Sequence, residues 1–275
     1  MTIKFNMPEH EYHACPELGS SQFRTFLKSP LRYYWEKTHP QIEKSSALDF
    51  GSAVHFALLQ PHEFGNKIVI EPKFDRRTKE GKEGAARFEA ALAPGAICMS
   101  EQDVTRSQFI AKAIRESELW QKIIMPLNPV FEVSVFTKIE GVDVKARFDI
   151  CPGECRGVLF DLKTTMSASK WAFRNSIIKY GYHIQAAYYA LAYEAETGDE
   201  ITSFGFLAVE KSGAYDFQLH ELTGDDMRKA KELVRNGLRE FSTCQTFDSW
   251  NGYPKHEATL IPNLPDYAFE KGDFE

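Results

Sequence analysis

The sequence has no run of apolar residues approaching the length of a membrane span, so no membrane-crossing helix is expected. Its first residues, MTIKFNMPEHEYH, lack the basic-then-apolar order of a secretory signal, and a cytoplasmic protein is expected. Cysteine is scarce. The five present (Cys15, Cys98, Cys151, Cys155 and Cys244) are odd in number and scattered, which argues against a disulfide framework. Cys151 and Cys155 flank a turn without the second pair that a zinc or iron–sulfur site needs, and are read as structural. There is no excess of basic charge either. The net charge of −6 is not that of a nonspecific nucleic-acid coat, although a local basic groove is compatible with it. No internal repeat is present, and no linker is long enough to separate a second domain from the first, so residues 1–275 are expected to form one domain with an irregular tail over about 245–275.

What the chain does have is core material, 43% hydrophobic and 13% aromatic residues, enough for a sizeable α/β domain. The most informative stretch is VKARFDICPGECRGVLFDLK, residues 144–163. Residues 144–150 and 158–163 are rich in β-branched and aromatic side chains, and the turn formers lie between them, a hairpin pattern. Asp149 and Asp161 are symmetric about residue 155, close to the centre of that turn, so they should face each other across the ladder. Two carboxylates so placed are unfavourable, by about 4 kcal/mol at a separation of about 4 Å and an effective dielectric of about 20. The offsetting charge has two candidate sources: Lys163, on the same strand face as Asp161, or a divalent cation. Two carboxylates suit magnesium or manganese, and a neighbouring lysine suits the handling of a water that attacks phosphorus. Taken alone, the same residues also fit a solvated hairpin rim with an ordinary ion pair.

Elsewhere the chain reads as alternating short elements. Ser20 or Ser21 and Ser29-Pro30 are expected to start two helices, with Tyr33, Tyr34 and Trp35 of the second assigned to packing. A helix over 47–59, ending before Pro61, carries Gly51 and His55 one turn apart. The glycine would let another backbone approach. His55 alone reads as a packed core histidine. Residues 67–70 and 96–99 read as short strands, and 78–92 and 100–116 as helices. The window from Lys73 to Arg87 holds six basic residues against three acidic ones, and is either a solvated helix start or a phosphate-gripping loop. A strand over 130–137 leads through a turn at 138–141 into the hairpin. Beyond it come a helix capped by Ser169, a helix from Tyr182 with Gln185 and Tyr189 sharing one face, strands over 204–210 and 215–219, and a helix opened by Thr223 and running to about 241.

Four motifs then resemble, in order and spacing, those of the RecB-like branch of the PD-(D/E)XK nuclease superfamily: Gly51-Ser-Ala-Val-His55, Arg147-Phe-Asp149, Asp161-Leu-Lys163-Thr-Thr, and His183-Ile-Gln185-Ala-Ala-Tyr188-Tyr189. The segments YHACPELGSSQF, LDFGSAVHFALLQPHEF and PKFDRRTKEGKE are similar to nuclease domains of the RecE (exonuclease VIII) type, and the likeness spans nearly the whole chain. Phe148 stands where the superfamily name has proline.

The resemblance implies a mixed central β-sheet flanked by helices. It assigns His55, Asp149, Asp161 and the carbonyl of Leu162 as metal ligands, Lys163 as the residue orienting the attacking water, and Gln185 and Tyr189 as supports. Arg76, Arg77, Lys79, Lys82, Arg147, Thr164 and Thr165 are the candidate DNA contacts. The activity implied is a magnesium-dependent exonuclease, with manganese as substitute, that degrades the 5′-ended strand of linear double-stranded DNA. It would act as a ring-shaped homo-oligomer and leave 3′ single strands for a single-strand annealing protein in recombination. Two other readings stand beside it. A nuclease of CRISPR adaptation or of a helicase–nuclease complex often carries an iron–sulfur cluster near its C-terminus, where this chain has Cys244 alone. A catalytically inactive DNA-binding module of the same fold has no reason to keep Asp149, Asp161 and Lys163 together.

Overall fold

A computed structural model describes residues 2–39, 46–93, 95–153 and 157–255, with backbone only for 46–48. In chain order the elements are β1 (Thr2–Lys4), α1 (Glu9–Ala14), β2 (Leu18–Gly19), α2 (Ser20–Lys28), α3 (Pro30–Thr38), α4 (Ser46–Leu59), α5 (Pro61–Lys67), β3 (Ile68–Ile70), α6 (Lys79–Ala91), β4 (Ile97–Met99) and α7 (Glu101–Glu116). After a π-helical turn at Trp120–Ile124 and a short 3-10 turn come β5 (Val130–Ile139), β6 (Val142–Cys151), β7 (Val158–Thr165), α8 (Lys170–Tyr180), α9 (Tyr182–Thr197), β8 (Ser203–Glu210), β9 (Phe217–Glu221) and α10 (Gly224–Phe247).

The central sheet runs β1-β5-β6-β7-β8-β9, with β2 added parallel to β6. β7 and β8 are parallel and joined over α8 and α9, whereas the other neighbours along the main path are antiparallel. This is the mixed sheet flanked by helices that the motifs implied. β5 turns into β6 through Glu140 and Gly141, both with positive φ (50° and 82°), the two-residue hairpin geometry that matches strand twist. The same turn fixes the register, with Val135 opposite Ala146 and Val133 opposite Phe148.

One face of the sheet packs against α2, α3, α8, α9 and α10 through Phe23, Phe26, Phe173, Tyr188 and Phe241. The other packs against α4, α7 and the π turn through Val54, Leu58, Ile110, Ile114 and Trp120. Strand side chains alternate between faces, and β6 obeys this from Val142 to Phe148, whose even-numbered residues all join the α9-side core. The alternation then breaks. Ile150 belongs to the α4-side core, and across the ladder Glu132 has φ +55°, a rare conformation for a non-glycine residue. At this level the sheet turns polar side chains toward α4.

Several sequence expectations need correction. α4 ends at Leu59, before Pro61 as expected, but Pro61 then opens a further helix, α5, that was not expected, as a proline at the first helical position does. The N-cap of α2 is Gly19, whose amide donates to the Gln22 side chain at 3.1 Å; Ser169 stands at the N-cap of α8 as expected, without a side-chain cap hydrogen bond. Of the aromatic trio in α3 only Tyr33 is buried; Tyr34 and Trp35 are 39% and 49% exposed. α10 continues to Phe247, into the expected tail. Cys151 is buried, its thiol 3.6 Å from the Pro152 carbonyl oxygen. Cys155 and the tail beyond 255 lie outside the described residues.

Candidate active site

β6 and β7 pair antiparallel through Ile150 and Phe160, and the next position of that register sets Asp149 opposite Asp161. The two carboxylates have different surroundings. Asp149 Oδ2 accepts from the Leu162 amide at 2.8 Å, which fixes it against β7. Asp161 is almost fully buried; its Oδ2 lies 2.5 Å from Lys163 Nζ, and its Oδ1 accepts from Gln185 Nε2 at 3.4 Å. Gln185 also donates to the Tyr189 hydroxyl at 3.1 Å, since the two side chains are one turn apart on α9. Lys163 Nζ lies 4.9 Å from the centre of the Tyr182 ring, a cation–π arrangement that the sequence did not suggest.

α4 reaches the same place because it carries a glycine where it crosses β7. A Cβ on Gly51 would stand 3.0 Å from Thr164 Oγ1. One turn later His55 enters the site, with Nε2 3.3 Å from Asp149 Oδ1 and Nδ1 3.2 Å from Glu132 Oε1. It is not a packed core histidine, as its residue type alone had suggested. Glu132 was missed from the sequence. The register of β5 on β6 places it opposite Asp149, and carrying the Glu140-Gly141 turn back along both strands would have found it. Its Oε2 faces Arg147 Nε at 3.2 Å. Arg147 in turn donates to the Met7 carbonyl and lies 5.2 Å from the Tyr12 ring centre.

These groups surround a cleft of about 660 Å³. His55, Arg147, Asp149, Leu162, Lys163, Thr164, Thr165, Gln185 and Tyr189 all line it, and Asp161 lies beneath Lys163. Arg76, Arg77, Lys79 and Lys82 do not line it. Arg76 pairs with Glu71 at 3.0 Å and Glu89 at 3.2 Å, and Lys79 is 3.9 Å from Glu83. Arg147 is enclosed by its partners, so it braces the site more than it offers a free cation.

The electrostatics split the carboxylates. Burial, then the charge of Asp149, push Asp161 up to about 6. Burial works the same way on Asp149, but the charge and hydrogen bond of His55, then Lys163 and the Leu162 amide, hold it below the usual range. Burial pushes Glu132 up to about 7, against the pull of His55. Burial works to lower His55, and the carboxylates of Asp149 and Glu132 outweigh it and raise it to about 9. Burial is the largest single effect on all four groups, and the neighbouring charges reinforce or oppose it. Buried Glu132 Oε1 and Asp161 Oδ2 make no hydrogen bond despite their ion-pair neighbours. His55, Glu132 and Asp149 offer ligand atoms within 4.8 Å of one another. A hard, oxygen-rich pocket with orphaned carboxylate oxygens fits a divalent cation.

A mixed sheet with two opposed aspartates, a lysine two residues after the second, and a histidine from a preceding helix defines the PD-(D/E)XK class. Residues 19–259 match the family described as "PDDEXK-like domain of unknown function (DUF3799)", and the chain belongs to that family. Among solved structures it is similar to a protein from Eubacterium rectale provisionally described as an exonuclease, with 17% identity and a TM-score of 0.63 over 96% of this chain and 98% of that one. At that identity the likeness speaks for the fold. A second structure, described as SSO0001, aligns at 14% identity over 74% of this chain and 82% of that one, with a TM-score of 0.27, too low to bear on the argument. No curated protein matches this chain. Among the described residues, no helix is long and apolar enough to cross a membrane.

Proposed function

We propose that this chain is a metal-dependent deoxyribonuclease that degrades the 5′-ended strand of linear duplex DNA and leaves a 3′ single strand for an annealing protein, as its resemblance to RecE-type nucleases implies. The observation that carries the reading is Lys163 Nζ held 2.5 Å from buried Asp161, with Asp149 opposite. Asp149, Asp161, His55 and the Leu162 carbonyl would hold the cation, magnesium with manganese as substitute. A divalent cation in such a pocket polarises the phosphoryl oxygen and lowers the pKa of an attacking water.

The protein's own groups do the rest. Lys163, fixed between Asp161 and the Tyr182 ring, donates to the attacking water and orients it toward phosphorus. Gln185 holds the rotamer of Asp161 and is itself held by Tyr189. The Leu162 amide keeps Asp149 turned toward the centre. Thr164 and Thr165 at the wall of the cleft contact the DNA backbone, and Arg77 and Lys82 reach the duplex outside it. Residues 1–275 act as one nuclease domain, in a ring of identical subunits threaded by DNA, in the cytoplasm.

The test is incubation with magnesium and linear duplex DNA labelled separately at each 5′ and 3′ end, with closed circular duplex as control. Early release of the 5′ label as mononucleotide, with circles intact and no product in EDTA, is the expected result. Nicked circles would replace the exonuclease by an endonuclease. No hydrolysis in either magnesium or manganese would leave a binding module.

A further inference from the structure

His55 has two nitrogens and two carboxylate neighbours, and they are not equivalent. Nε2 faces Asp149, which the opposed-aspartate pair places at the centre of the site, while Nδ1 faces Glu132 at 3.2 Å. A histidine that gives one nitrogen to a metal commonly donates the proton on the other to an acceptor, and that acceptor fixes its tautomer and ring angle. Glu132 is built to be such an acceptor. It is buried, strand alternation from Val135 and Val133 on the α9 side puts it on the face toward α4, and its second oxygen is held from behind by Arg147 at 3.2 Å. Arg147 is fixed in turn by the Met7 carbonyl and the Tyr12 ring. One carboxylate oxygen, Oε1, is left facing His55.

We infer that Glu132 is a positioning residue: its Oε1, buried and without a hydrogen bond in the metal-free protein, accepts the Nδ1 proton of His55 once a cation is bound, and so keeps Nε2 bare and aimed at the cation beside Asp149. The inference rests on the reading that a divalent cation occupies this cleft. It differs from a ligand role for Glu132, which the clustering of His55, Glu132 and Asp149 would also allow.

Replacing Glu132 with Ala and with Gln in the full chain separates the two roles. The readouts are calorimetric titration with Mn²⁺ in the absence of DNA, and the histidine side-chain ¹H–¹⁵N spectrum with Mg²⁺ bound. The Ala variant is expected to bind Mn²⁺ about 10- to 100-fold more weakly and to lose the Nδ1–H signature of His55. The Gln variant keeps an amide oxygen for Nδ1–H and is expected to retain both the tautomer and most of the affinity. A Gln variant that binds as poorly as Ala makes Glu132 a ligand and overturns the inference, as does an Nε2–H tautomer in the parent. If the parent takes up Mn²⁺ and the Ala variant matches it, Glu132 alone is struck out and the metal reading stands. If the parent takes up none, both fall. Should the Ala variant fail to fold, the tautomer and affinity of the Gln variant decide the matter.

Discussion

Gly51 of α4 and Thr164 of β7 touch: a single added carbon on the glycine would stand 3.0 Å from the threonine Oγ1. That contact sets how near His55, one turn along α4, comes to Asp149. Gly51→Ala is therefore expected to displace α4 by a few tenths of an ångström and to weaken Mn²⁺ binding, although alanine itself favours a helix. Adding Thr164→Ala should restore the affinity. The two sites are in contact and should not behave additively. Calorimetry on the parent, both single variants and the double variant checks this, and additive effects would show that the contact does not set the position of His55.

Lys163 contributes charge to the site and little to the core. Lys163→Ala should lower DNA hydrolysis by about 10² to 10⁴-fold, the range for a positioned proton-handling group. Circular dichroism should show the fold intact. Activity within tenfold of the parent would remove Lys163 from the mechanism.

The crowded acids give the metal-free protein a pH dependence of defined sign. Asp161 and Glu132 have folded-state values of about 6 and 7, above their ordinary 3.8 and 4.5, so the unfolded chain releases these protons first and stability falls as pH rises through each interval. His55, raised from 6.5 to about 9, adds stability that is complete below 6.5 and is lost as pH rises toward 9. All three act in one direction. In EDTA the melting temperature should fall from pH 5 to pH 9, and less steeply in Asp161→Asn. Magnesium should raise it more at pH 8 than at pH 5, because a cation at about 100 times its Kd adds about 2.7 kcal/mol and competes with these protons. Equal magnesium shifts at the two pH values would place the cation elsewhere.

The two arginines before α6 should separate. Arg76 is already paired with Glu71 and Glu89. If Arg77 grips a phosphate, Arg77→Ala should reduce the slope of log affinity for duplex DNA against log salt by about 0.9, and Arg76→Ala by less. Anisotropy titrations in calcium at several salt concentrations measure the slope, and two unchanged slopes would make the window a solvated surface.

The readable features of the site were those carried by local spacing. Asp149 and Asp161 mirror each other about a turn, Lys163 shares a strand face with Asp161, and Gln185 and Tyr189 are one helical turn apart; each relation needs only the period of one element. His55 came from resemblance, because its approach depends on where α4 crosses β7, and Gly51 hints at that crossing without naming the partner. Glu132 required a register carried back from the Glu140-Gly141 turn, and its positive φ has no local signature, since glutamate does not favour that conformation. The extra length of α10 was misread, and α5, opened by Pro61, was not anticipated, for a simpler reason. Proline ends one helix and begins another with equal ease, and boundary residues carry weak preferences.

The brace behind Glu132 also has a place in time. Arg147 holds the carbonyl of Met7, a residue 140 positions earlier, and Lys145 Nζ binds the carbonyls of Tyr12 at 2.9 Å and Cys15 at 2.6 Å. At synthesis rates of about 5–20 residues per second, the opening segment leaves the ribosome on the order of 10 s before the strand it must hold. During that interval β1 has no β5 to pair with, and Tyr12 has no cation to cover. A nascent chain therefore carries no assembled centre until β6 has emerged and closed on the segment around Met7 and Tyr12.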